Sequence, residues 1–228
     1  MPFHLLENPE LKSQVGVILD QTTETEKYRA TLLRIGSYMA YEISPLIDQE
    51  PITLKTNFGM VAGSRLKDEN IIFIAVLRAS IPMVMGALKV FPHAQVGMVS
   101  ARRVLQKEGN KARLAEFKVP VEYSNVPKVT KDSIIIVPDP ALASGSSVVT
   151  VLKNILGKNR PKKIISLSVV CAPEGVDLIL NNYPEAEVFS AHQGQGLNSG
   201  GYIVPDGPGD AGDRSFGLGN THDSRINF

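Results

Sequence analysis

The chain has 228 residues, a length that suits one large domain with its own core. Hydrophobic residues make up 43% of the sequence and charged residues 21%, which excludes a disordered or collagen-like chain. The 24 basic and 23 acidic residues give a formal net charge of +1 and are scattered along the chain. We therefore expect no nucleic-acid partner, because no basic field is present to attract one.

The lack of a recognisable targeting signal and the single cysteine predict a cytoplasmic protein. Residues 1–14 carry prolines and charges and lack the apolar run of a signal peptide. The longest apolar stretch, Ile71–Leu77, is far too short to span a membrane, so no membrane partner is expected. The single cysteine, Cys171, lies in an apolar stretch and is expected to be a buried thiol.

The apolar pattern predicts helices first and then alternating strands and helices. Two helices are expected between Leu5 and Ile47, followed by a hairpin at Pro51–Gly63. The first predicted strand, Ile71–Leu77, is a continuous apolar run typical of a strand buried on both faces. The other predicted strands are Gln95–Ser100, Ser133–Val137, Lys163–Cys171 and Glu187–Ala191. The predicted helices between them are Pro82–Val90, Ser147–Leu156 and Pro173–Asn182. This alternation predicts an α/β fold with a doubly wound, mainly parallel sheet.

Three regions lie outside this alternation. Residues 1–65 are expected to form the N-terminal helices and the hairpin. Residues 101–131 are polar and too long for a structureless loop, so they predict a projecting β-arm. Residues 192–228 are rich in glycine, and composition alone favours a flexible tail there. Residues 1–228 are interpreted as a single domain, because no composition break divides them.

The segment after the third predicted strand is expected to bind phosphate. Its small residues allow backbone N–H groups to converge at the start of a helix. The segment consists of Asp139, Pro140, Ala141, Leu142, Ala143, Ser144, Gly145, Ser146 and Ser147. Asp139, between two prolines, is expected to be extended at the strand tip, with its carboxylate available to vicinal hydroxyls. The alternative is that Ser144–Ser147 only cap the helix.

Three stretches resemble a known family, the uracil phosphoribosyltransferases. Residues 137–147 resemble the family's phosphoribosyl-pyrophosphate loop, and residues 201–217 resemble its C-terminal uracil-binding signature. Residues 77–94 are similar to the segment that carries its first pyrophosphate-binding arginine. Shorter matches extend the likeness from about Leu5 to Gly217.

The resemblance implies a type I phosphoribosyltransferase fold with a C-terminal hood over the base. It implies transfer of the phosphoribosyl group of 5-phosphoribosyl 1-pyrophosphate (PRPP) to uracil, with Mg²⁺ as cofactor and UMP and pyrophosphate as products. The positions it assigns to catalysis are Arg78, Arg103, Asp139 and Asp210, and the PRPP site adds residues 140–147. The positions it assigns to uracil are Ile203, Gly209, Asp210 and Ala211, largely through backbone groups, and Asp210 is also the candidate contact for the metal.

The chain departs from the family pattern at several of these positions. Ser80 and Ser146 stand where the family usually has glycine, and each adds a side chain near the expected phosphates. Residues 206–208 make the uracil signature one residue longer and add the charge of Asp206. The tail 218–228 extends beyond the usual family ending, and no function is assigned to it.

Several interpretations remain open. A catalytically silent protein of the same fold, which binds a nucleotide or PRPP as a sensor, is the alternative to the enzyme. Arg103 follows another arginine, and the two also fit a solvated basic pair. Asp213 and Arg214 are interpreted equally as a structural ion pair or as ligands. The histidines lack metal-ligand spacing. The resemblance implies at least a homodimer, and leaves open a higher homo-oligomer and GTP as an effector.

Overall fold

The computed structural model describes residues 2–101 and 120–218. Its strands are β1 (Phe3–Leu5), β2 (Gln49–Thr56), β3 (Gly59–Leu66), β4 (Ile71–Leu77), β5 (Gln95–Ala101), β6 (Val121–Asn125), β7 (Ile134–Leu142), β8 (Lys163–Cys171), β9 (Glu187–Gln193), β10 (Gly196–Leu197) and β11 (Ile203–Val204). Its α-helices are α1 (Pro9–Leu19), α2 (Thr25–Ile43), α3 (Ile81–Ala87), α4 (Ser146–Leu156), α5 (Pro173–Asn182) and α6 (Ala211–Phe216). Arg103, most of the predicted β-arm and the end of the tail lie outside the described residues.

The main sheet has the strand order β1-β9-β8-β7-β4-β5-β6. All neighbours are parallel except β5 and β6, which are antiparallel. From β4 the chain moves to β5 on one side, and it later returns to β7 on the other side of β4. The predicted doubly wound α/β sheet is confirmed, and its switch point lies between β4 and β7.

The sheet is wider than predicted. The short β1 adds a parallel strand beside β9, pairing Phe3 with Val188 and Leu5 with Ser190. Three residues carry too little periodicity to be recognised as a strand. At the opposite edge, β6 returns antiparallel to β5 and is the described part of the predicted arm.

The third predicted strand, Ser133–Val137, is shorter than the strand in the structure, β7. β7 continues to Leu142, because its pairing with β8 runs on to the register Leu142 with Cys171. Asp139 therefore lies inside a strand rather than at its tip. Pro138 and Pro140 are tolerated because β7 has lost its other neighbour by then, since the pairing with β4 ends at Ile136.

The N-terminal helices pack against the segment that follows β4. α1 begins at Asn8, whose side chain accepts hydrogen bonds from the N–H groups of Glu10 and Leu11. α2 contacts α3 so closely that a Cβ at Gly86 would lie 1.8 Å from the carbonyl oxygen of Leu33. This contact fixes α3, and with it the turn that connects β4 to α3.

The predicted hairpin is confirmed and is longer than expected. β2 and β3 form a separate two-stranded sheet that pairs Gln49 with Leu66 at one end and Thr56 with Gly59 at the other. Several large apolar side chains on it are exposed: Leu54, Phe58, Met60 and Val61.

The core lies on both faces of the main sheet. One layer packs the N-terminal helices against β4, and the other packs α4 and α5 against β7 and β8. Cys171 is fully buried, as predicted, and burial raises the pKa of its thiol. Among the described residues, no helix is both long and apolar enough to cross a membrane.

Candidate active site

The first two predicted motifs follow neighbouring strands. Arg78 comes directly after β4, and residues 143–147 come directly after β7. β4 and β7 pair in parallel, so both segments lie at the same edge of the sheet. In doubly wound α/β folds, ligands bind at the carboxyl ends of strands at the switch point. The structure thus places Arg78 and the predicted phosphate loop at one edge of the sheet, where a ligand-binding crevice is expected.

Arg78 reaches from this edge to the C-terminal segment. Its Nη2 donates to Oδ1 of Asp213 at 2.7 Å, and its Nη1 lies 3.5 Å from the carbonyl oxygen of Gly217. The Arg78 side chain is 45% exposed, against 15% for Asp213. Because a guanidinium carries five N–H donors, Arg78 can pair with Asp213 and still offer donors to an anion.

The turn before α4 brings backbone groups together. Gly145 has a φ of 75°, and a Cβ there would lie 2.6 Å from the carbonyl oxygen of Gly175, so glycine is required. The hydroxyls of Ser144 and Ser146 lie 2.8 Å apart. α4 begins immediately afterwards, so its free N–H groups and positive end add to this cradle.

Serine capping does not account for this turn. The residue at the cap position of α4 is Gly145, which has no side chain to cap with. Ser144 makes only a 3.4 Å contact with the N–H of Ser146. The cap position of α4 therefore gives little support to the alternative that these serines only cap the helix.

Asp139 presents a carboxylate at the same edge. It pairs in register with Ser168 on β8 and is partly exposed. Its Oδ1 accepts a hydrogen bond from the N–H of Ala141 at 3.1 Å, which orients the side chain. The extended conformation predicted for Asp139 is confirmed, although its cause is strand pairing as well as the two prolines.

The C-terminal segment is folded as far as residue 218, so the prediction of a flexible tail from composition is wrong for this part. Oδ1 of Asn198 accepts hydrogen bonds from the N–H groups of Gly200 and Tyr202, each at 3.0 Å. β10 and β11 pair around this turn. Gly201 has a φ of 77°, a conformation that glycine adopts without strain.

The four positions assigned to uracil lie together in this segment. Ile203 and Ala211 are buried, Gly209 has a φ of 73°, and Asp210 is exposed. Oδ1 of Asp210 accepts from the N–H of Asp213 at 2.9 Å and so caps α6. Asp210 thus has a structural role that the sequence motif did not reveal.

Arg214 anchors the segment to the N-terminal helices. It donates to the carbonyl oxygens of Ile18 at 2.6 Å, Asp20 at 2.6 Å and Pro208 at 2.9 Å. Its guanidinium lies 4.2 Å from the centroid of the Tyr28 ring. The ion pair predicted between Asp213 and Arg214 is therefore corrected: Asp213 pairs with Arg78, and Arg214 binds backbone carbonyls.

Tyr28 is the buried aromatic residue whose ring lies against the Arg214 guanidinium. Burial raises the pKa of its phenol to about 12, although the nearby Arg214 charge acts in the opposite direction. Its hydroxyl is buried without a hydrogen-bond partner among the described residues. A lone tyrosine in a helix gave no sequence signal for this contact.

The two serines that replace glycines adopt ordinary backbone conformations. Ser80 has a φ of −79°, is buried, and donates from Oγ to the carbonyl oxygen of Val76 at 2.9 Å. Ser146 is the first residue of α4, and no residue other than glycine has a positive φ in the described part of the chain. Neither serine therefore occupies a conformation that requires glycine.

The lengthened signature makes a contact that the sequence did not predict. Oδ2 of Asp206 is hydrogen-bonded to Nε2 of His192, which lies near the end of β9. The peptide bond between Val204 and Pro205 just before it is cis. An isolated histidine, 14 positions from its partner, carries no recognisable pattern.

The carboxylates at this edge do not form a metal site by themselves. Among the described residues, no group of three or more His, Cys, Asp or Glu side chains is arranged to hold a metal ion. Asp210, the candidate metal contact, is an oxygen donor of the kind that Mg²⁺ prefers. A single carboxylate fits a Mg²⁺ ion whose other ligands would be phosphate oxygens and water.

The sheet order and the two loops at its switch point agree with the type I phosphoribosyltransferase fold that the sequence resemblance implies. The family model described as "Uracil phosphoribosyltransferase" matches residues 5–218. A protein of Thermococcus gammatolerans with that name is 40% identical over 212 residues, which cover 92% of this chain and 91% of the relative. A protein of Pyrococcus furiosus with the same name is 37% identical, with 92% and 88% covered.

A solved structure agrees with these matches. The AQ2163 protein from Aquifex aeolicus superposes with a TM-score of 0.84 at 33% identity, covering 95% of this chain and 98% of that one. The chain belongs to the uracil phosphoribosyltransferase family. Nothing in these comparisons favours the catalytically silent alternative.

Proposed function

We propose that this chain transfers the phosphoribosyl group of PRPP to uracil, giving UMP and pyrophosphate. The observation that carries the proposal is the placement of Arg78 and the Gly145 turn on adjacent strands, with α6 held against Arg78 through Asp213. A sugar bound between these loops would have its phosphate and its pyrophosphate at opposite ends. Its reactive carbon would then face the C-terminal segment.

PRPP binding is assigned to three parts of this edge. The 5-phosphate is assigned to the turn 143–147, where backbone N–H groups and serine hydroxyls converge. The ribose hydroxyls are assigned to Asp139, because a carboxylate accepts two hydrogen bonds from a diol. The pyrophosphate is assigned to Arg78 and to Arg103, which lies outside the described residues.

Uracil binding is assigned to the backbone around Ile203, Gly209 and Ala211. The edge of uracil alternates carbonyl acceptors and N–H donors, and main-chain amides match such an edge when no side chain intervenes. Gly209 has a left-handed backbone conformation, and the carbonyl oxygen of the preceding Pro208 accepts a hydrogen bond from Arg214. Both observations support a fixed backbone at this point. Asp210 lies between the uracil and PRPP positions.

The reaction requires little covalent chemistry from the protein. The bond between the sugar carbon and the pyrophosphate oxygen breaks, a bond from uracil N1 to that carbon forms, and the N1 proton passes to water. The sugar becomes cation-like as the pyrophosphate departs with the bonding electron pair. The protein therefore acts by holding both substrates in line and by stabilising the leaving group with arginine.

Mg²⁺ is proposed as the cofactor. When bound, it would neutralise charge on the pyrophosphate, with its contacts shared between phosphate oxygens and Asp210. Because Asp210 also caps α6, Asp210→Asn keeps a cap acceptor and removes the charge. We expect this variant to keep its melting temperature and to need more Mg²⁺ for half-maximal activity. An unchanged Mg²⁺ requirement would remove Asp210 from the metal assignment.

The proposal also covers assembly and regulation. The exposed apolar side chains of the β2–β3 hairpin support a homodimer or higher homo-oligomer, since Phe58 is fully exposed in a single chain. Light scattering of the purified protein tests this. GTP is proposed as an effector on the family resemblance alone, and UMP formation with and without GTP tests it.

Pyrophosphate release from PRPP tests the proposed function. With uracil as the acceptor and Mg²⁺ present, we expect release that depends on both substrates. Cytosine, hypoxanthine and orotate are the comparison bases. Equal release with another base would overturn the assignment of uracil.

A further inference from the structure

The lengthened uracil signature is tied to the main sheet by His192 and Asp206. His192 lies on β9 and pairs in register with Val170 on β8. Asp206 lies two residues after β11, in the turn that leads to Gly209. The hydrogen bond between Nε2 of His192 and Oδ2 of Asp206 therefore joins the turn to the rigid part of the fold.

The turn around Asp206 is tightly packed. A Cβ at Gly194 would lie 2.5 Å from Cγ2 of Ile203 and 3.1 Å from Oδ1 of Asp206. A Cβ at Gly207 would lie 2.3 Å from the carbonyl oxygen of Ile203. The two glycines thus make room for Asp206 beside Ile203, and a movement of Asp206 would move the Ile203 backbone.

Among the described residues, His192 is the hydrogen-bond partner of the Asp206 carboxylate. Its Oδ1 is buried and has no hydrogen-bond partner among the described residues. Burial of a carboxylate oxygen without a hydrogen-bond donor costs free energy. The hydrogen bond at Oδ2 is therefore more important for keeping the Asp206 side chain in place. His192 is 37% exposed, and its imidazole supplies that donor.

We propose that His192 and Asp206 form a positioning clamp for the uracil-binding backbone. The clamp fixes one end of the segment 203–209, and the bond from Arg214 to the Pro208 carbonyl fixes the other end. Neither side chain of the clamp is assigned contact with a substrate. The inference rests on the proposed function, because it assigns to this segment the binding of uracil.

The same strand offers a matched control. At the opposite end of β9, Nε2 of His4 lies 3.3 Å from Oε2 of Glu187, and the His4 ring stacks on Phe189 with centroids 4.3 Å apart. This pair joins β1 to β9. Like the clamp, it places a histidine beside a carboxylate, although Nε2 of His4 has no hydrogen-bond partner among the described residues. It lies at the edge of the sheet remote from the crevice.

The test compares KM values for the two substrates. We expect His192→Ala and Asp206→Ala each to raise the KM for uracil about fivefold, with the KM for PRPP and kcat within about twofold of wild type. The double variant should raise the uracil KM no further than either single variant, because both substitutions remove the same hydrogen bond. His192→Gln, which keeps an N–H donor, should restore most of the affinity. His4→Gln should leave both KM values unchanged.

Other outcomes decide against the clamp. An unchanged uracil KM in both alanine variants overturns it, and so does an equal rise for both substrates, which would indicate a merely structural pair. If the alanine variants fail to fold, the comparison is made with His192→Leu and Asp206→Leu, which fill similar space but form no hydrogen bond. A uracil KM equal to wild type in both would also overturn it.

Hydrogen exchange separates this inference from the proposed function. If the wild-type protein makes no UMP, the proposed function fails, and the clamp is judged on the amides of residues 203–209. Faster exchange there in His192→Ala, with unchanged exchange in β8, supports the clamp. Unchanged exchange in residues 203–209 overturns it.

Discussion

Arg78 and Asp213 are 135 positions apart in the chain, and they meet at 2.7 Å between Nη2 and Oδ1. Their contact joins the turn after β4 to α6. The proposed pyrophosphate arginine is therefore already held in place by the segment that is proposed to bind the base. A carboxylate that orients a cation in this way reduces the freedom that substrate binding must remove.

Removal of the Arg78 guanidinium should impair PRPP use more than folding. We expect Arg78→Ala to lower kcat/KM for PRPP about 100-fold, because a charged donor to the leaving group is lost. Arg78→Lys should recover only part of this, since an ammonium lacks the planar fork. Initial rates at varied PRPP measure the effect. Arg65→Ala, on the exposed hairpin, is the control, and an equal loss in that variant would contradict the assignment.

The carboxylate of Asp139 should be needed for turnover and not for stability. Asp139→Asn keeps an acceptor for the Ala141 N–H and removes the charge facing the crevice. We expect kcat/KM for PRPP to fall at least about tenfold while the melting temperature stays near wild type. Asp132→Asn, an exposed change just before the same strand, provides the comparison. Full activity in Asp139→Asn would remove Asp139 from the site.

Gly145 should not tolerate a side chain. Gly145→Ala places a methyl group 2.6 Å from the carbonyl oxygen of Gly175 and also forces a positive φ. The conformational part costs about 1 kcal/mol, and the clash adds to it. Gly157→Ala shares the positive φ but has open space around it, so it isolates the first effect. We expect both variants to melt at a lower temperature, with the larger fall in Gly145→Ala, and a higher KM for PRPP in Gly145→Ala only. Equal behaviour of the two variants would refute the close approach.

Tyr28 should make the protein sensitive to alkali. Its phenol has a pKa of about 12 in the folded chain against 10.0 ordinarily, so the folded state retains a proton that the unfolded chain releases. The stability from this difference is fully present below about pH 10 and is lost as pH rises toward 12. Thermal unfolding between pH 8 and pH 11 should therefore show a steeper decline for wild type than for Tyr28→Phe. Parallel curves would contradict this origin.

The strands of the central sheet could be predicted from the sequence, since β4 and the first half of β7 are continuous apolar runs and β8 is apolar apart from Lys163 and two serines. The turn that is proposed to bind phosphate could also be located, because glycine and serine directly follow a strand and begin a helix. The exact end of β7 could not be predicted. Pro138 and Pro140 indicate that the strand ends early, but pairing with β8 continues it to Leu142. β1 was missed because three residues become a strand only through pairing with β9.

The partners within the site could not be predicted for a related reason. Asp213 and Arg214 are adjacent in sequence, and adjacency suggested a pair, whereas in α6 they point to different neighbours. Consecutive residues of a helix face different directions, so contacts are set by the elements packed around them. The same applies to His192, whose partner lies in a turn that only the folded chain brings near.

Conversion of labelled uracil to UMP tests the account most directly. The purified protein is assayed with PRPP and Mg²⁺, beside Arg78→Ala and Asp139→Asn prepared in the same way. The account predicts UMP formation by the wild-type protein that needs PRPP and falls sharply in both variants. A folded wild-type protein that binds UMP and forms none of it would contradict the account.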